Sequence, residues 1–171
     1  MPAESSPTES VHAAQAPQGP AHTAPSPAAR GLVDTNIIIL RNHINPASLP
    51  RDLAISAVTL AELSAGIHHV TGDSPEAITE RSRRMDILQR VEHEFDPLPF
   101  DAAAARLYGR VSAAVLAIGR QPRRRIADLM IASAAASNGL PLYTTNPHDY
   151  VGLTALVRVI AVPVPRPMPE G

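Results

Sequence analysis

A chain of 171 residues with 44 % apolar side chains is long enough for one domain with a substantial core, and its 3 % aromatic share means that core is built from Ala, Val, Leu and Ile. Cysteine is absent and all 15 basic residues are Arg. This excludes disulfide scaffolds, thiolate metal sites, Cys nucleophiles, a P-loop lysine, a Schiff base and a lysine partner for a phosphoacceptor Asp. The net charge of -1 hides two basic clusters, Arg81/Arg83/Arg84 and Arg123/Arg124/Arg125, which leave a nucleic-acid partner open.

Residues 1–30 are rich in Ala, Pro, Ser and Thr and carry almost no large apolar side chains, so a disordered tail is expected there. They contain no basic segment followed by an apolar one, and no run in the chain is long and apolar enough to cross a bilayer. The expected location is therefore the cytoplasm, away from a membrane. The folded part, 31–162, opens on GLVDTNIIIL at 31–40, which reads as strand, turn and helix with Asp34 at the junction. Two roles are open to Asp34: a helix cap, or a carboxylate facing the crevice beyond the strand ends.

After a loop marked by Pro46 and Pro50, residues 53–56 read as a short strand and 57–69 as a helix with Leu60, Leu63 and Ile67 on one face. Thr59 and Glu62 have the spacing of a capping box, which is the structural role for Glu62; its functional role would again be at a strand's carboxyl end. A polar, Arg-bearing helix is expected over 75–94, with Met85, Leu88 and Val91 covering one side of the sheet. Residues 95–100, with Pro97 and Pro99, suit an edge or a strand end. Asp101 is expected to cap an Ala-rich helix that runs to about Ile118 and stops at Gly119. A basic loop at 121–125 leads into a helix with Asp128 in its first turn. Strands follow at 140–143 and 156–162, with the loop TTNPHD at 144–149 between them, and an extended Pro-rich tail occupies 163–171.

Strands alternating with helices indicate βαβ units, hence an α/β fold with a mainly parallel sheet and helices on both faces. Asp34, Glu62, Asp128 and the Asn146/Asp149 loop then share one rim. Two like charges about 4 Å apart repel by roughly 4 kcal/mol at a surface-like dielectric, a large part of the roughly 5 to 15 kcal/mol that holds a domain together. A hard divalent cation relieves such crowding, and carboxylates with water are what Mg²⁺ or Mn²⁺ prefers. Ions of this kind activate water for phosphodiester displacement, and Arg clusters would hold a nucleic-acid backbone.

LVDTN at 32–36, ISAVTLAEL at 55–63, IADLMIASA at 126–134 and TTNPHDY at 144–150, in this order and spacing, closely resemble the PIN-domain ribonucleases, in particular the VapC-type toxins of bacterial toxin–antitoxin pairs. The resemblance implies a three-layer α/β/α PIN-like fold with four to five short strands. It also implies Mg²⁺- or Mn²⁺-dependent endonucleolytic cleavage of structured RNA such as tRNA or rRNA, a homodimer, and a cognate antitoxin. On its pattern the metal-binding acids fall on Asp34, Glu62 and Asp128. Asp149 is the fourth acid, an outer ligand through water, with Asn146 orienting it or a phosphate. Thr35 and Asn36 support the first acid, and Thr145, where the family often has Arg or Lys, would hydrogen-bond a metal-bound water. Arg123, Arg124 and Arg125 become contacts for RNA or antitoxin.

Rival readings fit less well. A haloacid-dehalogenase-type phosphatase needs a second Asp where this chain has Asn36, and a response-regulator receiver needs a lysine. A zinc hydrolase needs spaced histidines, whereas His68 and His69 are adjacent and point apart and His148 is alone, so solvated or capping roles are expected for them. A catalytically weak PIN-fold binding or regulatory module, or another metal-dependent phosphoesterase, is the alternative; loss of the acids would mark the module, and the acids are present.

Overall fold

The computed structural model describes residues 29–164. Most of the two tails expected at 1–30 and 163–171 therefore lies outside the described residues. Arg30, placed in the amino-terminal tail by composition, opens the first strand.

Four short strands make one sheet in the order β2-β1-β3-β4: β1 (Arg30–Val33), β2 (Asp52–Ala54), β3 (Leu142–Thr144) and β4 (Val159–Ala161). Every pairing is parallel. Among the described residues five α-helices, with short 3-10 turns, connect them: α1 (Thr35–Leu40), α2 (Ala57–His68), α3 (Pro75–Glu94), α4 (Ala102–Ala117) and α5 (Ile126–Ser137). Side chains alternate across a strand, and the register pairs Leu32 with Leu142 and Val33 with Tyr143. Val33 and Tyr143 join Ile37, Leu63, Ile67 and Val91 on the side of α1 to α3. Leu32 and Leu142 join Val111, Leu129 and Ala132 on the side of α4 and α5. The sheet is thus the middle of three layers, with aliphatic side chains predominating in both cores.

The strands expected at 53–56 and 140–143 are shifted to Asp52–Ala54 and Leu142–Thr144, and four other elements differ from expectation. Residues 95–100 form no ladder; Leu98 alone bridges to Ser56 in parallel, its amide donating to the Ile55 carbonyl at 2.9 Å and its carbonyl accepting from Ala57 at 2.8 Å. Pro97 and Pro99 on either side have no N–H to extend the pairing. The last strand is shorter than 156–162 because turns occupy the chain up to Val157. Met85 is exposed, and α3 instead buries Ile87, Leu88 and Val91. At the start of α2 the cap is Ser56, whose Oγ accepts the Thr59 amide at 3.0 Å. The helix begins a turn earlier than a Thr59/Glu62 capping box requires, which frees the Glu62 carboxylate.

The first Arg cluster is absorbed by the fold. Arg81 donates to the Val70 and Gly72 carbonyls, and Arg84 donates to Gly66 at 2.5 Å and to Glu80 at 2.7 Å. Cations there satisfy carbonyls at the carboxyl end of α2 and offset its dipole. Arg83 is held by Glu80 at 2.7 Å, a pair that pulls the Glu80 carboxyl down to about 2 through its hydrogen bonds with Arg83 and then Arg84.

Candidate active site

From β1 the chain passes to β2 on one side, and the later strand β3 lies on the other. Beyond the carboxyl ends of β1 and β3 there is therefore a crevice at a switch of strand order, the place where parallel α/β sheets bind ligands. Asp34 is the first residue past β1. Its Oδ1 accepts the Ile37 amide at 3.1 Å, and its Oδ2 accepts the hydroxyl of Thr144 at the end of β3. One oxygen of Asp34 thus caps α1, and the other is held by Thr144 at the end of the neighbouring strand.

Helix α2 follows β2 and α5 leads into β3, so both helices start at this rim. Glu62 on α2 accepts the Thr35 hydroxyl at 2.5 Å, and Asp128 is in the first turn of α5. Asp34, Thr35, Asn36, Glu62 and Asp128 line a single depression of about 340 Å³ together with Ile39, Ala65 and His69. A larger cavity of about 850 Å³, walled by Arg41, Pro50, Arg51 and Leu53 among others, contains no acid and no histidine, so the chemistry belongs to the smaller one.

Burial raises the Asp34 carboxyl above its ordinary range, against the hydrogen bonds from Thr144 and the amides of Ile37 and Asn36, and Glu62 adds to the rise. Asp128 is pushed up to about 6, first by burial and then by Asp149, Glu62 and Asp34, with Arg125 opposing. Four acids are therefore within electrostatic reach of one another. The same fields, after burial itself, push the Tyr150 phenol upward. Its hydroxyl is buried without a hydrogen-bond partner among the described residues.

Asp149 does not line the depression but stands beside it. It is ion-paired with Arg125 at 2.6 Å and accepts a hydrogen bond from the Asn146 side chain. The Asn146 amide donates to Thr144 Oγ1 at 2.9 Å, which completes a chain from Arg125 through Asp149, Asn146 and Thr144 to Asp34. Arg120 and Arg125 also donate to the His148 carbonyl, at 2.6 and 3.1 Å, and hold the 146–149 loop in place.

Thr145 and the arginines at 123–125 stand as follows. Thr144 rather than Thr145 touches the acids: it is fully buried, and Thr145 makes no side-chain hydrogen bond among the described residues. Arg125 is turned inward onto Asp149, whereas Arg123 is exposed with no ion pair among the described residues; the Arg124 side chain lies outside what is described. Three residues not singled out from sequence stand in or beside the depression: Thr144 and Arg120 through their hydrogen bonds, and His69 in its lining. For His69 a signal was available, since it follows Glu62 by seven residues, two helical turns.

Apart from the His69 ring, the donors lining this crevice are carboxylate, hydroxyl and amide oxygens, the set that Mg²⁺ or Mn²⁺ prefers. A cation there would offset both the burial of Asp128 and the repulsion from its neighbouring acids. No group of three or more His, Asp or Glu side chains among the described residues is arranged to clasp an ion unaided.

The sequence profile of the PIN domain matches residues 31–150, the span that carries all four acids. The chain belongs to the PIN-domain family. It is 36 % identical over 140 residues to Ribonuclease VapC5 of Mycobacterium tuberculosis, spanning 78 % of this chain and 96 % of that one. It is 32 % identical over 126 residues to the tRNA(fMet)-specific endonuclease VapC of Shigella flexneri, spanning 70 % and 88 %. Among solved structures, the VapBC-5 toxin–antitoxin structure from Mycobacterium tuberculosis superposes with a TM-score of 0.62 at 32 % identity, over 78 % of this chain and 99 % of that one. The Rickettsia felis VapBC2 structure, at 19 % identity and a TM-score of 0.58, is alike in fold. This PIN-domain chain is thus an enzyme of the VapC ribonuclease group. Among its described residues no helix is long and apolar enough to cross a membrane.

Proposed function

We propose that this PIN-domain chain is a divalent-metal-dependent endoribonuclease and the toxin of a toxin–antitoxin pair, cutting structured RNA of the tRNA or rRNA class in the cytoplasm. The observation that carries the reading is the convergence of Asp34, Glu62 and Asp128 on one depression at the switch of strand order. Its relatives are a ribonuclease and a tRNA-specific endonuclease, and a structural neighbour is a toxin–antitoxin assembly; these support the substrate class and a cognate antitoxin partner. A homodimer is part of the same proposal.

Asp34, Glu62 and Asp128 would hold Mg²⁺ or Mn²⁺, with Asp149 acting through water. When bound, the ion supplies a polarised water and neutralises charge on the phosphodiester. The protein's own contribution is preorganisation. Thr144 and the Ile37 amide fix both oxygens of Asp34, and Thr35 orients Glu62. Arg125 and Asn146 hold Asp149. In this arrangement the acids need little reorganisation on loading, which is how outer partners support a metal site.

The test is cleavage of total bacterial RNA by purified protein with Mn²⁺ or Mg²⁺, with the new 5′ ends mapped. Wild type cuts at discrete positions, and Asp34→Ala and Asp128→Ala do not, although both keep the wild-type circular dichroism spectrum. Equal cutting by all three proteins would overturn the assignment.

A further inference from the structure

We infer that His69 is a substrate-contact residue of this site, the ring on which an RNA base close to the scissile phosphate stacks. The inference rests on the endoribonuclease reading. Seven residues at 100° each fall 20° short of two full turns, so Glu62, Ala65 and His69 run along one side of α2 and its carboxyl end. All three line the depression that holds Asp34 and Asp128.

Within that lining His69 is the only ring and the only ionisable side chain that is not an acid. Structural duty does not account for it. The His69 backbone amide closes α2 onto the Gly66 and Ile67 carbonyls, while its side chain is exposed and has no hydrogen bond or ion pair among the described residues.

Distance separates the possible roles. At 1.5 Å per residue, His69 stands about 10 Å along the axis from Glu62. Proton transfer to or from an oxygen of a phosphate reacting beside the acids needs contact near 3 Å. A stacked strand advances about 3.4 Å per nucleotide, so 10 Å is the reach to a base within about three nucleotides of the cut. Histidine is among the rings on which splayed RNA bases stack.

The experiment uses the full chain with Mn²⁺ and a synthetic RNA carrying a cut site mapped from total bacterial RNA. Abasic replacements are made one at a time within three nucleotides of that site. For His69→Ala, KM rises about five- to 140-fold, the range that one base stack supplies, with kcat within about twofold. His69→Phe restores KM and His69→Gln does not. One abasic position weakens wild type and leaves His69→Ala unaffected. The rise in Tm on adding Mn²⁺ is the same in wild type and all three variants. Rescue by Gln but not Phe identifies a polar phosphate contact and overturns the stacking role, as does an unchanged KM in His69→Ala. Intact RNA with wild type overturns the parent reading and this one together.

Discussion

Removing one charge from the acid cluster should make the metal-free protein more stable while destroying its chemistry. The perturbation is Asp128→Asn, measured in EDTA. Asp128 is raised from 3.8 to about 6 by burial and by Asp149, Glu62 and Asp34. Below about pH 4 the carboxyl is protonated in both folded and unfolded chains and adds no strain. Between about 4 and 6 the unfolded chain ionises first, so folding stability falls as pH rises through that window. Above about 6 the full penalty is present. A rise from 3.8 to about 6, at about 1.4 kcal/mol per tenfold change in acidity, sets a ceiling near 3 kcal/mol. Solvent reaches part of this side chain, and screening reduces the expected gain to about 1 to 2 kcal/mol.

At about 2–4 °C per kcal/mol for a chain of this size, Asp128→Asn should melt several degrees above wild type at pH 8 and level with it at pH 4, by calorimetry in EDTA. Saturating Mg²⁺ should raise wild type more than the variant, because the cation relieves a repulsion the variant no longer has. A variant equal to or weaker than wild type at pH 8 would refute the reasoning: the acids would then not be crowded, and the electrostatic case for a cation would fail with it.

Three further outcomes follow from the geometry. Thr144→Val leaves an oxygen of a 4 % exposed carboxylate without its donor; it should cost about 1.5 to 3 kcal/mol in urea unfolding and lower RNA cutting by about 10- to 100-fold. Arg125→Ala should change stability by less than about 1 kcal/mol, since its pair with Asp149 is partly exposed, yet lower kcat about tenfold or more, with Arg125→Lys recovering only part because it lacks the fork. Gly31→Ala would place a Cβ 2.5 Å from Tyr143 Cε2 and 3.2 Å from Pro50 Cγ; Tyr143 is 1 % exposed and has nowhere to move, so overpacking should cost about 1 to 3 kcal/mol by urea unfolding.

What could be read from sequence and what could not divides by the range of the interaction. Asp34 and Asp128 were legible because strand ends and helix starts are local patterns, and a parallel sheet brings them to one rim whatever the side-chain details. Asp101 was legible for the same reason, its carboxylate accepting the Ala104 amide at 2.9 Å. The choice between Thr144 and Thr145 was not, because it depends on the phase of a three-residue strand, where a slip of one position reverses every side chain. Ser56 and Thr59 are both competent caps, and only the place where β2 stops decides between them.

Arginines were the least legible residues, since a long side chain finds its partner across tertiary distance. Charge alone treated the two triplets alike. The fold spends Arg81 and Arg84 on carbonyls near the end of α2 and turns Arg125 onto Asp149. The consequence for function is that the basic residues nearest the acids serve first to hold the site together. Affinity for an RNA backbone then draws on Arg123, on arginines outside the two triplets such as Arg51, Arg106 and Arg110, and on charge brought in on binding, so the salt dependence of RNA binding should change less on removing Arg81, Arg84 or Arg125 than their clustering suggests.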